Sequence, residues 1–285
     1  MRVAAISMTG INLKSIDLYR DGLTLLIKNS AADLVVLPAY SSIVLGISTG
    51  QLKQSGDFND TIRSMMFTSD TWNSIFLELH YSIARELGIY ITVGTLFENE
   101  SNHCYHTAYC LNPAGQICSK QQQTHLTRAE REIGLSRGEE LGIFAIEDLQ
   151  AGLIIGNDAR HPEVGRIFGL RGADILLHCG AIEICFNNWP QVAGMWSQVQ
   201  QNQFWVVEAQ LSANIAGRVF GASSTIIGPC EITTDLSGYL ARGCPETPLI
   251  AAELDEEARQ QQKEKYPLLK LRNPTAYSEL KTGFE

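Results

Sequence analysis

No stretch of this chain approaches the roughly 18 uninterrupted apolar residues that a membrane-crossing helix needs, so no helical span is expected. Basic clusters are missing too: 31 acidic residues outnumber 22 basic ones, the net charge is -9, and no run of Lys or Arg occurs. That balance argues against nucleic acid and anionic membranes as partners, since both select basic patches. The seven cysteines are odd in number, irregularly spaced and without a CxxC pair. Neither a disulfide framework nor a zinc site is indicated, and reduced, buried thiols in a cytoplasmic protein are expected. Behind Met1-Arg2 the segment Val3-Ala4-Ala5-Ile6 reads as a strand, without the longer apolar core of a signal peptide. Repeats and low-complexity tracts are absent beyond short glutamine runs such as Gln121-Gln122-Gln123, which removes solenoids from consideration.

What remains is a chain of 285 residues, 45% apolar and 19% charged, long enough to bury a large core. One domain over 1–285 is expected, with 255–285 as a charged helix followed by an arm. The most informative stretch is Ala151 to Leu177. The apolar run Leu153-Ile154-Ile155 stops abruptly at Gly156-Asn157-Asp158, as a strand buried on both faces does where it reaches the edge of its sheet. Pro162 and Glu163 then open a helix with Val164, Ile167, Phe168 and Leu170 near helical spacing, and Gly172 closes it before the strand Ile175-Leu176-Leu177. Earlier strands are read at Val3 to Met8, Asp33 to Pro38 and Ile89 to Gly94, with helices at Asp17 to Lys28 and Trp72 to Leu87. A hairpin turns at Asn112-Pro113-Ala114-Gly115. Ser41 to Asp70 reads as a long loop over the sheet edge.

Asp158, Arg160, Pro162, Glu163, Arg171, Gly172, Ala173 and Asp174 together resemble the central signature of the nitrilase, or carbon–nitrogen hydrolase, superfamily. His125-Leu126, Glu98, Asn202, Phe220-Gly221, Ser224 and the strand Leu249 to Asp255 extend the resemblance over nearly the whole chain. It implies an α/β fold, a four-layer α-β-β-α sandwich, with no cofactor, no metal and a habit of forming dimers or larger homo-oligomers. It also implies a catalytic triad of glutamate, lysine and cysteine. At the corresponding positions this chain has Ala39 after Pro38, Gln123 before His125-Leu126, and Gly156 at the end of the central strand. A methyl group cannot accept a proton, a neutral amide cannot supply a positive charge, and glycine cannot attack. Lys120 lies an odd number of residues from Gln123, on the opposite face of an extended strand. The family's accessory glutamate falls at Glu130 or Glu132, and two other positions of a family segment hold Gln198 and Gln201.

The expectation is therefore a hydrolase-like scaffold without an intact triad, holding a small amide-like or carboxylate ligand, or acting as a regulatory or partner subunit. The emptied pocket would be lined by Asn157, Asp158, His125 and Glu130, with His161 nearby. An alternative keeps an active amide or nitrile hydrolase with a relocated nucleophile, Cys179 beside His178, or Cys185. Neighbours on a strand face opposite ways, which favours a structural role for that thiol. A metal set drawn from Asp158, His161, His178 and Glu183 lacks tight spacing and is not favoured.

Overall fold

Alternation in the first strand sets the layering. In β1 (Arg2–Ile6), Val3 and Ala5 join one apolar cluster, and Ala4 and Ile6 join another. This is the two-residue period of a strand covered on both faces. The computed structural model describes residues 1–66, 70–184 and 189–276; Cys185, one of the thiols considered above, lies outside them.

The chain continues with α1 (Ile16–Ser30), β2 (Leu34–Val36), α2 (Ser41–Ser48), α3 (Phe58–Met65), α4 (Asp70–Leu87), β3 (Tyr90–Glu100), β4 (His103–Leu111), β5 (Ile117–Gln122), α5 (Arg128–Glu132) and β6 (Leu135–Ser136). It then forms β7 (Ile143–Ile146), β8 (Leu149–Ile155), a 3-10 turn at Gly156–Arg160, α6 (Pro162–Leu170) and β9 (Ile175–Gly180). After α7 (Trp189–Gln191), a π-helical turn (Val192–Trp196) and α8 (Ser197–Asn202) come β10 (Trp205–Gln210), β11 (Ser212–Ile215), β12 (Arg218–Gly221), β13 (Thr225–Ile227), β14 (Tyr239–Arg242), β15 (Leu249–Glu253) and α9 (Glu256–Lys265).

One sheet has the order β15-β1-β2-β3-β4-β5, with β6 paired to β4; the other has the order β14-β13-β10-β9-β8-β7. Each contains a parallel triplet, β1-β2-β3 and β8-β9-β10. The sheets face each other through Val3, Ala5, Val36, Leu153, Ile155, Leu177, Cys179 and Val207. The outer face of the first sheet is covered by Tyr19, Leu23 and Ile27 of α1 and Phe76 and Ile83 of α4. That of the second is covered by Val164 and Phe168 of α6 and Val199 of α8. The expected α-β-β-α sandwich is thus the observed one.

One expectation needs correction. Ser41 to Asp70 is not a long loop, because it holds α2 and α3. In α2 the first six residues are all buried, so it carries no polar face from which a helical period could be read. In α3 the start is fixed by Asp57, whose side chain accepts from Asp60 N at 3.0 Å. The charged helix expected near the C-terminus is α9, and it is tied down. Arg259 of α9 is fully buried, donates to Gln203 O at 2.9 Å, and pairs with Asp174 and Glu256 at 2.5 Å each. On α6, Val164 and Phe168 are buried as expected, whereas Ile167 and Leu170 face outward.

Candidate functional site

The carboxyl ends of the parallel strands β2, β8 and β9 converge on one edge, the usual place for a site in an α/β sheet. There the Ala39 N–H donates to Gly180 O at 3.2 Å, joining the exits of β2 and β9. Gly94 permits the close approach beside it. Its φ is +80°, and a Cβ would stand 2.3 Å from Pro38 O. Tyr40 follows in the left-handed region at φ 61°, an uncommon conformation for a large side chain. It is held by its N–H, which donates to Thr95 Oγ1 at 2.8 Å, and by stacking on the His106 ring at 4.9 Å.

A cavity of about 420 Å³ opens at this edge, lined among others by Ala39, Tyr40, His106, Glu130, Gly156, Asn157, Arg160, His178, Glu208 and Arg218. Gln123 stands behind its wall, fully buried. Its Oε1 accepts from His106 Nδ1 at 2.7 Å, while its Nε2 donates to His125 O at 3.0 Å and to Glu130 Oε2 at 3.1 Å. The far side of His106 is held by Thr95 Oγ1 at 2.5 Å from Nε2. Every polar atom of the Gln123 amide therefore has a partner, and burial pushes the His106 ring below its ordinary value. Glu130 sits at the third position of α5, where its carboxylate accepts from Thr127 N at 2.6 Å while Thr127 Oγ1 accepts from Glu130 N at 3.2 Å. This reciprocal capping box fixes the carboxylate. Its rival Glu132 is exposed and pairs with Arg128.

Gly156 turns the end of β8 into the 3-10 segment with φ +46°, and a Cβ there would meet only the Gln123 amide, at 3.8 Å. Below it, His178 and Glu208 are cross-strand neighbours on β9 and β10, 1% and 2% exposed, with Nδ1 to Oε1 at 3.0 Å. Glu208 also accepts from Gln191 at 2.7 Å, Thr225 at 2.7 Å and Gln210 at 2.9 Å. Burial alone would raise its carboxyl; the bonds from His178, Thr225 and Gln191, with the His178 charge, bring it below the ordinary range.

The sequence reading places other residues here that do not reach the cavity. Asp158 is 1% exposed and accepts from Thr124 N, Thr124 Oγ1 and His125 N, at 3.1, 2.9 and 2.6 Å. It pins the 3-10 turn to the loop after β5, which is a structural task. His125 and His161 stack on each other at 4.0 Å outside the cavity. Cys179 is fully buried between the two sheets, and burial raises its thiol far above the ordinary value. Among the described residues no thiol lines the cavity. Lys120 faces away from it, paired with Glu98 and Glu100. The favourless metal set is dispersed: Asp158 serves the loop, His178 pairs with Glu208, and Glu183 pairs with Arg218 at 3.4 Å. Gln198 ties α8 to the turn through Ala159 O at 2.6 Å.

Sequence reasoning missed His106, Tyr40, Glu208, Arg160 and Arg218 as lining residues. Only Glu208 had a usable signal, a carboxylate inside an apolar strand, which must find a partner.

Comparison with known proteins agrees with this architecture. A double mutant of the amidase from Nesterenkonia sp. AN1 in complex with acrylamide superposes with a TM-score of 0.77, at 18% identity, covering 98% of this chain and 97% of that one. Among curated proteins, an omega-amidase NIT2 of Xenopus tropicalis is 25% identical over 210 residues, covering 69% of this chain and 72% of the relative. A 2-oxoglutaramate amidase of Bacillus subtilis is 24% identical over 187 residues, covering 65% and 69%. Among the described residues no helix is long and apolar enough to cross a membrane. The family model for carbon-nitrogen hydrolases matches residues 12–263, and the chain belongs to that family.

Proposed function

We propose that this chain is a hydrolase-dead member of its family that holds a small amide- or carboxylate-bearing molecule in the cavity without cleaving it, as a regulatory or partner subunit. The observation that carries this reading is the chemistry at three positions around one open cavity. Ala39 and Gly156 line it with a methyl group and a hydrogen, and Gln123 behind it is a neutral amide with all its hydrogen bonds made. Amide hydrolysis by a thiol needs a nucleophile, a base to ionise it and a charge to stabilise the oxyanion. Loss of a nucleophile alone costs on the order of 10⁶ in rate in hydrolases whose groups act together.

A cavity of about 420 Å³ suits a small polar molecule. Arg160 lines it, and among the described residues no carboxylate pairs with that guanidinium, which favours a ligand bearing a carboxylate. A relative named as a 2-oxoglutaramate amidase supports the same chemical class. The exposed Ile167 and Leu170 on α6, 36% and 45% accessible, support pairing of two copies through that helix.

The test is a thermal-shift screen of short amides and their carboxylates, run beside an ammonia-release assay. Ligands should raise the melting temperature of the purified chain, and Ala129→Trp, which fills the cavity from α5, should cancel that rise. Steady ammonia release that is lost in Ala129→Trp overturns the reading. Release that survives Ala129→Trp is contamination, because it does not depend on this cavity.

A further inference from the structure

We propose a transition-metal site outside the cavity, formed by His125, His161 and Glu163, with Zn²⁺ as its foremost occupant. Ligand atoms of the three side chains lie within 4.8 Å of one another. His125 Nε2 is 3.8 Å and His161 Nδ1 is 3.6 Å from Glu163 Oε1. These separations are too long for hydrogen bonds. They are close to the edge of about 3.3 Å that ligands spaced around a tetrahedral ion take, given metal–ligand bonds of about 2.0–2.2 Å. The two rings are stacked at 4.0 Å and 23°, so a contraction together with a turn of one ring would bring all three ligand atoms onto one ion.

The far sides of both rings are already held. His125 Nδ1 faces Asp158 Oδ1 at 3.3 Å and Thr124 Oγ1 at 2.9 Å, leaving Nε2 toward Glu163. His161 Nε2 faces the Asn157 amide at 3.1 Å, leaving Nδ1 toward Glu163. With Nδ1 of His161 on an ion its Nε2 would carry the proton, so Asn157 would turn its Oδ1 to that ring and give up the bond from its Nδ2 to His125 O at 3.2 Å. A carboxylate on the outer nitrogen of a ligating histidine is the usual support of a metal site. Two imidazoles and one carboxylate are a donor set for borderline divalent ions, with a fourth position left to water. The ligands are 30%, 35% and 45% exposed, so an ion can enter. Its two charges would face the two carboxylates of Asp158 and Glu163.

The site would clamp the loop after β5 to the start of α6. Asn157, which supports His161, also lines the cavity, so loading would stiffen one wall of it. The proposal stands independently of whether the cavity catalyses.

The test uses the untagged, chelator-treated full chain, titrated with Zn²⁺ by calorimetry and with Co²⁺ by visible absorption. One equivalent should bind with a dissociation constant at or below about 10 µM, and Co²⁺ should develop the absorption of a four-coordinate site. His161→Phe and Glu163→Gln should each weaken binding at least tenfold, while His103→Ala, on a distant strand, leaves it unchanged. His161 makes no side-chain cap to α6, so its replacement spares the helix start; should that variant fail to fold, Glu163→Gln carries the test. Binding absent at 1 mM metal, or unaltered in the folded variants, overturns the proposal.

Discussion

Gln123 and His106 lock each other: the His106 Nδ1–H donates to Gln123 Oε1 at 2.7 Å, and the amide nitrogen is left to Glu130 at 3.1 Å. The Gln123 amide is neutral, and its polar atoms are all paired. A lysine at 123 would meet the Glu130 carboxylate directly, but it would leave His106 Nδ1 without its acceptor.

That relationship predicts the result of rebuilding. Gly156→Cys should fold, because its Cβ meets nothing closer than 3.8 Å, at a cost of about 1–2 kcal/mol for the left-handed backbone. Its thiol should be alkylated by iodoacetamide yet release no ammonia from short amides. Ala39→Glu and Gln123→Lys added to it should produce turnover, as the three roles act as a unit. Turnover by Gly156→Cys alone would show that base and cation come from groups other than positions 39 and 123.

His80 sets an acid limit on stability. It is fully buried between Tyr19 and the Phe76 carbonyl, at 2.9 and 2.7 Å, and burial lowers its value from 6.5 to about 4. Between those values the unfolded chain takes up a proton and the folded chain does not. Stability is therefore complete above pH 6.5 and falls as pH drops toward 4, by an amount on the order of 3 kcal/mol at ~1.4 kcal/mol per unit. Urea unfolding of His80→Gln across this range should show a flatter profile; an unchanged slope refutes the assignment.

Glu208 acts lower on the pH scale. Its carboxyl lies below the ordinary 4.5, so just under that value unfolded chains are protonated and folded chains are not. Its contribution is present above 4.5 and lost as pH falls through the folded value. Glu208→Gln removes a buried charge from His178 and should cost about 3 kcal/mol at neutral pH. It should also flatten the acid limb of the denaturation profile below pH 4.5.

Arg259 predicts a purely structural loss. Its guanidinium is fully buried against Asp174, Glu256 and Gln203 O. Arg259→Ala should destabilise the chain by about 3 kcal/mol and expose α9 to proteolysis, while ligand-induced thermal shifts at the distant cavity persist. Loss of those shifts at a temperature where the variant is folded would contradict a local role.

The sequence by itself determined the alternation of β1, the abrupt stop of β8 at Gly156, the α6 start at Pro162 and the layer order these imply. Those features rest on local period and backbone chemistry, which neighbouring residues carry. It also determined that Ala39, Gln123 and Gly156 are inert side chains, since that is a matter of residue type. Tertiary structure alone decided which groups surround them. Asp158 went to the loop backbone, Cys179 into the space between the sheets, and His106 onto Gln123, because each contact joins residues far apart in the chain or turns on which face of a strand meets which sheet. The missed helix α2 has the same origin: a segment buried on nearly every side shows no polar face, and only the layers packed around it define its form.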